Sequence, residues 1–218
     1  MKITSFVAAA TSLVLGVLGA PGSLDHISNV MARQGYAFSS WSEGGINYRC
    51  NNGPGGSYTV DWSGPGGFVC GKGWGRGGAR SVQYSGTYKP QGPGYLALYG
   101  WTRNPLIEYY VVDAHGDLSP NEVWTEKGNF TSDGGTYTIY TSTRVNQPSI
   151  VGTATFQQFW SVRTSEQRVG GTITTGNHYS EWAKHGMNLG QHDYMILATE
   201  GYTSKGKQSS GSSSITVS

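Results

Sequence analysis

From residue 36 onward, apolar and polar positions alternate in short runs, and each run is cut by a turn signal. The breaks fall at Asn52-Gly53-Pro54-Gly55-Gly56, Gly64-Pro65-Gly66-Gly67, Gln91-Gly92-Pro93-Gly94 and Asp133-Gly134-Gly135. Between such breaks lie Ser57 to Ser63, Tyr95 to Trp101, Ile107 to Asp113, Thr136 to Arg144, Thr155 to Arg163, Thr172 to Thr175 and Tyr194 to Thr199. A period of two between Gly- and Pro-rich breaks predicts antiparallel strands in an all-β sandwich or jelly roll. No helical pattern alternates with the strands, which excludes a parallel α/β fold. One helix is predicted over about Asn177 to His185, with Asn177 or Thr175 as N-cap, Tyr179 and Trp182 on one face, and Gly186 closing it. It is expected to pack on the back of a sheet.

The first 33 residues follow a different pattern. Lys2 precedes an apolar run from Ile3 to Leu18 that ends in small residues at Gly19 and Ala20. This reads as a secretory signal peptide over 1–20, since it is too short and too weakly flanked for a membrane anchor. Residues 21–33 have no clear period and end in Ala32-Arg33-Gln34. They read as a propeptide cut after a basic residue, leaving one secreted, extracellular domain over 34–218. Secretion permits a disulfide between the two cysteines, Cys50 and Cys70. If 45–52, 57–63 and 67–72 formed a simple meander, however, the outer strands would lie ~9–10 Å apart, beyond the ~7 Å Cα limit. The pairing stays open at this point. A glycosylation sequon, Asn129-Phe130-Thr131, precedes the turn at Ser132 to Gly135 and is expected to be exposed.

Composition narrows the class of partner. The chain carries 34 Gly, 14 Tyr and 7 Trp with only 13% charged residues, so its surface is built from Ser, Thr and Asn and suits neutral ligands. The net charge of +2 comes from scattered Lys and Arg and forms no stripe for nucleic acid. No other apolar stretch is long enough to span a bilayer.

Strand alternation assigns the candidate chemistry to one face. In Tyr95 to Trp101 the aromatic residues Tyr95, Tyr99 and Trp101 share one side, and Leu96 and Leu98 share the other. In the next run Glu108 and Tyr110 point one way, while Ile107, Tyr109 and Val111 point the other. A carboxylate within so apolar a strand is costly to bury unless it is paired or lies in a cleft. Near the C-terminus Tyr194, Ile196, Ala198 and Glu200 share a face, again placing a glutamate beyond an apolar strand. The other eleven of the thirteen acidic residues fall in turns, at termini or on ordinary surface, with Asp113 at a strand end the least clear. Two carboxylates in an aromatic-lined cleft suit glycoside hydrolysis, and the same aromatic residues without turnover would suit a lectin-like binding module.

The segment Tyr99-Gly100-Trp101-Thr102-Arg103-Asn104-Pro105-Leu106-Ile107-Glu108-Tyr109-Tyr110 resembles the nucleophile signature of glycoside hydrolase family 11 xylanases. Ala198-Thr199-Glu200-Gly201-Tyr202 resembles their acid/base signature, and Pro148-Ser149-Ile150 resembles the tip of their thumb loop. Trp41-Ser42-Glu43-Gly44-Gly45, Gly71-Lys72-Gly73-Trp74 and the segment from Asn177 to Gly190 match in order. The resemblance spans residues 36 to 218. It implies a β-jelly roll with one short α-helix and a secreted endo-1,4-β-xylanase that retains anomeric configuration. Glu108 would be the nucleophile and Glu200 the acid/base. Trp41, Tyr95, Tyr99, Trp101, Tyr110, Arg144, Pro148, Ser149, Gln158 and Tyr194 would line the substrate groove. The implied partner is xylan and its oligosaccharides, handled by a monomer without cofactor or metal. His178 is implied to be a buried histidine facing Ser161.

Three positions depart from the family pattern. Val145 replaces a frequent thumb tyrosine, Thr203 to Lys207 reads as an insertion after the acid/base strand, and Gly67 replaces the Asn or Asp beside the acid/base. Other signals carry nothing. Gly66 to Lys72 begins like a phosphate-binding loop, but Gly73 stands where Ser or Thr is required. The five histidines lack metal-ligand spacing, and no Gly-x-Ser-x-Gly elbow occurs.

Overall fold

The computed structural model describes residues 35–118 and 123–218. The leader, propeptide and start at Gln34 expected from the sequence lie outside the described residues. Two sheets make up the fold, as expected for a jelly roll. The larger has eight strands in the order β1 (Ala37–Gly44), β4 (Gly67–Trp74), β12 (Gln191–Tyr202), β6 (Gly94–Arg103), β7 (Ile107–His115), β10 (Gly152–Arg163), β9 (Gly135–Ser149) and β8 (Thr125–Ser132). The smaller has five, in the order β11 (Gly170–Thr174), β5 (Ser81–Gln91), β13 (Ser209–Val217), β3 (Ser57–Gly64) and β2 (Asn47–Asn52).

The alternation read from the sequence sorts the side chains into two clusters. Leu96, Leu98, Ile107, Tyr109 and Val111 join Tyr58, Val60, Trp62 and Ile215 in the core between the sheets. Tyr95, Tyr99, Trp101, Tyr110, Phe156, Trp160 and Ile196 form a second cluster on the opposite face of the larger sheet. That face carries the site. Register shifts in five of the strand pairings mark bulges, which bend the strands and re-aim their side chains.

Several expectations need correction. The pairing of β7 with β10 is parallel, not antiparallel, because the long crossover between them carries the chain out through the β8–β9 hairpin. Residues 45–72 do not form a meander: β4 leaves β3 at the Gly64–Gly67 turn and pairs with β1 and β12 in the other sheet. Cys50 on β2 and Cys70 on β4 therefore face each other between sheets, with a Cα–Cα distance of 6.6 Å, and form a disulfide. Strands β1, β8 and β13 are obscured by Ser-, Thr- and Gly-rich sequence, whereas β5, with Val82, Tyr84 and Tyr88 buried at a period of two, carries a signal that the sequence reading passed over.

The helix α1 spans Thr175–Lys184, so neither expected N-cap holds; Thr174 occupies that position and makes no side-chain cap. Gly186 does close it. The amides of Gly186 and Met187 bond back to Ala183 and Trp182, with Gly186 at φ +73°, a Schellman ending. Trp182 is fully buried and donates to Ser161 Oγ at 2.9 Å. His178 is buried, as expected, makes no hydrogen bond to Ser161 and lies edge-on to Phe130 and Tyr137.

Asp113, ambiguous in the sequence, is a structural anchor. Its buried carboxylate accepts from the hydroxyls of Tyr84 and Tyr137 at 2.7 and 2.5 Å and pairs with Arg168 at 2.8 Å. The apparent insertion forms a two-residue turn, with Lys205 at φ +50° and Gly206 at φ +77°. Two backbone bonds between Ser204 and Lys207 close it.

Candidate active site

Glu108 reaches the open face as the second residue of β7, and pairing supplies its partners. The parallel register sets Gln158 directly beside it on β10, and the antiparallel register sets Trp101 beside it on β6. Gln158 Nε2 donates to Oε2 at 2.6 Å, while the hydroxyls of Tyr99 and Tyr110 donate to Oε1 at 2.9 and 3.1 Å. Each donor is itself held. Ser142 Oγ donates to Gln158 Oε1 at 2.8 Å, which turns the amide nitrogen toward Glu108. Trp101 Nε1 donates to the Tyr99 hydroxyl at 2.6 Å. Trp160 stacks on Tyr110 with centroids 3.9 Å apart and planes within 5°.

Burial pushes the Glu108 carboxyl above its ordinary range, and the Gln158, Tyr99 and Tyr110 donors together with the Arg144 charge pull it back. The phenols of Tyr99 and Tyr110 are held well above their normal range by burial and then by the Glu108 charge, so both stay protonated and act as donors. Both also feel the charge of Glu200. The two glutamates thus act on one pair of tyrosines whose rings lie 4.9 Å apart.

Glu200 is half-buried on β12, between Val69 of β4 and Tyr95 of β6. Tyr95 is hydrogen-bonded to Tyr202 at 2.5 Å and packs edge-on against Trp160. On the other flank, Glu43 is the bulged residue of β1, and its carboxylate lies over Gly67. A Cβ at Gly67 would stand 2.8 Å from Glu43 Oε1, so the space vacated by the missing side chain is occupied by a neighbour's carboxylate.

The remaining residues expected in the groove distribute around this centre. Tyr194 lies edge-on to Tyr99 with centroids 6.0 Å apart, and Trp41 packs on the aromatic cluster from the edge strand β1. Trp101 is 2% exposed, packs against Phe156 and spends its indole on Tyr99, so it supports the groove without presenting a ring face. Arg144 acts on Glu108 through its charge and donates to Gln147 at 3.3 Å. Pro148 is exposed near the end of the β9–β10 hairpin, whereas Ser149 turns its hydroxyl to Gly152 O at 2.5 Å. Ile150 brings that hairpin onto the aromatic cluster.

The sequence reading missed Trp160, Ser142, Phe156 and Tyr202. Alternation from Gln158 along its own run would have found Trp160 and Phe156. Ser142 gave no signal apart from the register that places it opposite Gln158. Among the described residues there is no cluster of three or more His, Cys, Asp or Glu able to hold a metal ion.

Residues 33–213 match the family profile of Glycosyl hydrolases family 11. The chain is 49% identical over 217 residues to an ethylene-inducing xylanase of Penicillium digitatum, covering 98% of this chain and 97% of that protein. It is 50% identical over 223 residues to a probable endo-1,4-beta-xylanase B of Aspergillus clavatus, covering 98% of each. Its fold matches the structure of one of two major endo-1,4-beta-xylanases from Trichoderma reesei, with a TM-score of 0.74 and 40% identity over 83% of this chain and 97% of that one. With the family profile spanning nearly all the described residues and relatives at half identity over their whole length, the chain belongs to glycosyl hydrolase family 11.

Proposed function

We propose that the protein is a secreted endo-1,4-β-xylanase in which Glu108 is the nucleophile and Glu200 the general acid/base of a retaining reaction. The observation that carries the assignment is the cradle around Glu108, which receives three donated hydrogen bonds from Gln158, Tyr99 and Tyr110, with Glu200 on the same face of the larger sheet. Donors favour the ionised form, so the negative charge belongs on Glu108. Like-charge repulsion then favours the proton on Glu200.

In the first step Glu200 protonates the glycosidic oxygen as Glu108 attacks C1, forming a glycosyl-enzyme through an oxocarbenium-like transition state. Glu200, now a base, takes a proton from water, which attacks C1 and releases Glu108 with net retention. This chemistry calls for carboxyl groups about 5 to 5.5 Å apart. Tyr99 and Tyr110 are nearly buried, so they meet sugar through hydroxyls and ring edges; Trp41, half-buried at the edge strand, is the residue suited to stack on a distal ring. Relatives named as endo-xylanases support xylan as substrate. Its pentose lacks the hydroxymethyl group of cellulose, which a close-walled groove rejects by sterics.

The test is chemical trapping. A 2-fluoroxylobioside should label the peptide containing Glu108, and Glu200→Ala should keep the first step on aryl xylosides with good leaving groups and regain turnover with azide, giving the β-azide. Label on Glu200, or loss of both effects, would reverse the assignment. Binding of xylan without release of reducing ends would make the protein a lectin.

A further inference from the structure

We propose that Asn129 carries an N-linked glycan and that this glycan shields the open edge of the eight-stranded sheet. The inference goes beyond the hydrolytic reading and does not depend on it, requiring only that the chain enter the secretory pathway. Asn129-Phe130-Thr131 is an acceptor sequence within β8. Phe130 turns inward, with its ring 5.9 Å from Tyr137 and 5.1 Å from His178. Alternation therefore turns Asn129 and Thr131 together to the other side, and both are exposed.

The strand is also the last of its sheet, paired to β9 alone. An exposed edge of this kind is a template for pairing with another chain, which proteins oppose with charge, bulges or cover. The first half of β8 has such devices: exposed Glu126 and Lys127, and a register shift between Glu126 and Gly128. The second half, Asn129 to Ser132, carries no charge and continues as regular pairing. Ser132 is buried and accepts from Asn177 of α1 at 3.0 Å, so a glycan at Asn129 would cover the stretch that is left, Asn129 to Thr131.

Asn129 turns to the same face of the larger sheet as Glu108 but stands well apart from it. Asn129 pairs with Thr138 and, through it, lies level with Val162, four residues along β10 from Gln158. That is about 13 Å along the strands and about 14 Å across three strand spacings from Glu108. In the transfer, the Asn129 amide nitrogen attacks C1 of an oligosaccharide carried on a polyprenyl diphosphate. The N–C1 bond forms, the C1–O bond to phosphate breaks, an amide proton is lost and the lipid diphosphate leaves, with no change of oxidation state.

The full chain should be secreted from a glycosylating yeast beside Asn129→Gln, Thr131→Ala and Thr131→Lys. Wild type is expected to lose mass on treatment with a peptide N-glycosidase, with the Asn129 peptide recovered as Asn129→Asp, and the three variants should lack the glycan. All should share one kcat/KM on xylan. On concentration or warming, enzymatically deglycosylated wild type, Asn129→Gln and Thr131→Ala should self-associate more by light scattering than the glycosylated protein. Thr131→Lys, which restores a charge to the edge, should not. Wild type secreted without glycan at Asn129 overturns the site. Equal association of the glycosylated and deglycosylated forms, or of Thr131→Lys and Thr131→Ala, overturns the shielding role.

Discussion

Replacing Gln158 with Ala isolates one donor of the Glu108 cradle. Oε1 keeps both tyrosines, whereas Oε2 loses its 2.6 Å amide and is left buried. Glu108 is 8% exposed, so water does not readily replace the lost partner. A hydrogen bond to a charged group contributes roughly 1.5–3 kcal/mol. At 1.36 kcal/mol per factor of ten, that moves the balance between ionised and protonated Glu108 by roughly one to two orders of magnitude. The sign follows from which form the donor favours. Gln158 stabilises the carboxylate against a burial penalty that already raises the group, so without it Glu108 keeps its proton to higher pH. The acidic limb of kcat/KM on soluble xylan should therefore move upward, with the basic limb nearly fixed and activity recovering at the alkaline end of the plateau. Ser142→Ala, which frees the Gln158 amide to rotate and also removes the acceptor of Trp160 Nε1, should move the same limb by less. A profile lowered uniformly at every pH, with both limbs in place, would show that Gln158 positions sugar and does not tune the nucleophile.

Gly67→Asp should shift the pH optimum acidward, because a working acid then needs protons on two coupled carboxyls and the stronger acid sets the basic limb. Gly67 lies outside the left-handed region and the neighbour it meets is the flexible end of Glu43, so the variant should fold; superimposable kcat/KM profiles would sink the idea. Cys50→Ser with Cys70→Ser opens a link of 20 residues' separation and should destabilise by about 3 kcal/mol. Calorimetry should find Tm lower by roughly 6–12 °C, and an unchanged Tm would refute the link's contribution. His178 is buried and held down to about 3, so the folded state stays neutral where the unfolded chain, at its ordinary value of 6.5, is protonated. Its contribution is complete above about pH 6.5 and falls by about 1.4 kcal/mol per pH unit as pH drops toward 3. His178→Gln should flatten denaturant-measured stability across that window, and equal slopes for the two proteins would refute it.

What the sequence made legible was local. A period of two in Tyr95 to Trp101 and Ile107 to Val112 dictates which side chains share a face whatever the strands pair with, and those faces hold in the two clusters. Pairing between distant strands has no such local signature. The meander drawn through residues 45–72 failed because nothing in Gly64-Pro65-Gly66-Gly67 distinguishes a hairpin turn from a crossing between sheets, and the disulfide depends on that distinction. The site divides in the same way. Glu108 and Glu200 are conspicuous as carboxylates in apolar runs, but Ser142 matters only because β9 and β10 bring it opposite Gln158, and Gln158 only because a parallel pairing brings it beside Glu108. Glu43 is the sharpest case. Read along the chain it is an ordinary glutamate before a glycine turn, and it comes to lie over Gly67 because a bulge in β1 and a missing side chain on β4 create the space it fills. Neither feature points to it alone, since the bulge is a consequence of register and the glycine is one among 34. Residues whose chemistry depends on their own strand can thus be read in advance, and those that act through a neighbouring strand become visible only once the register is known.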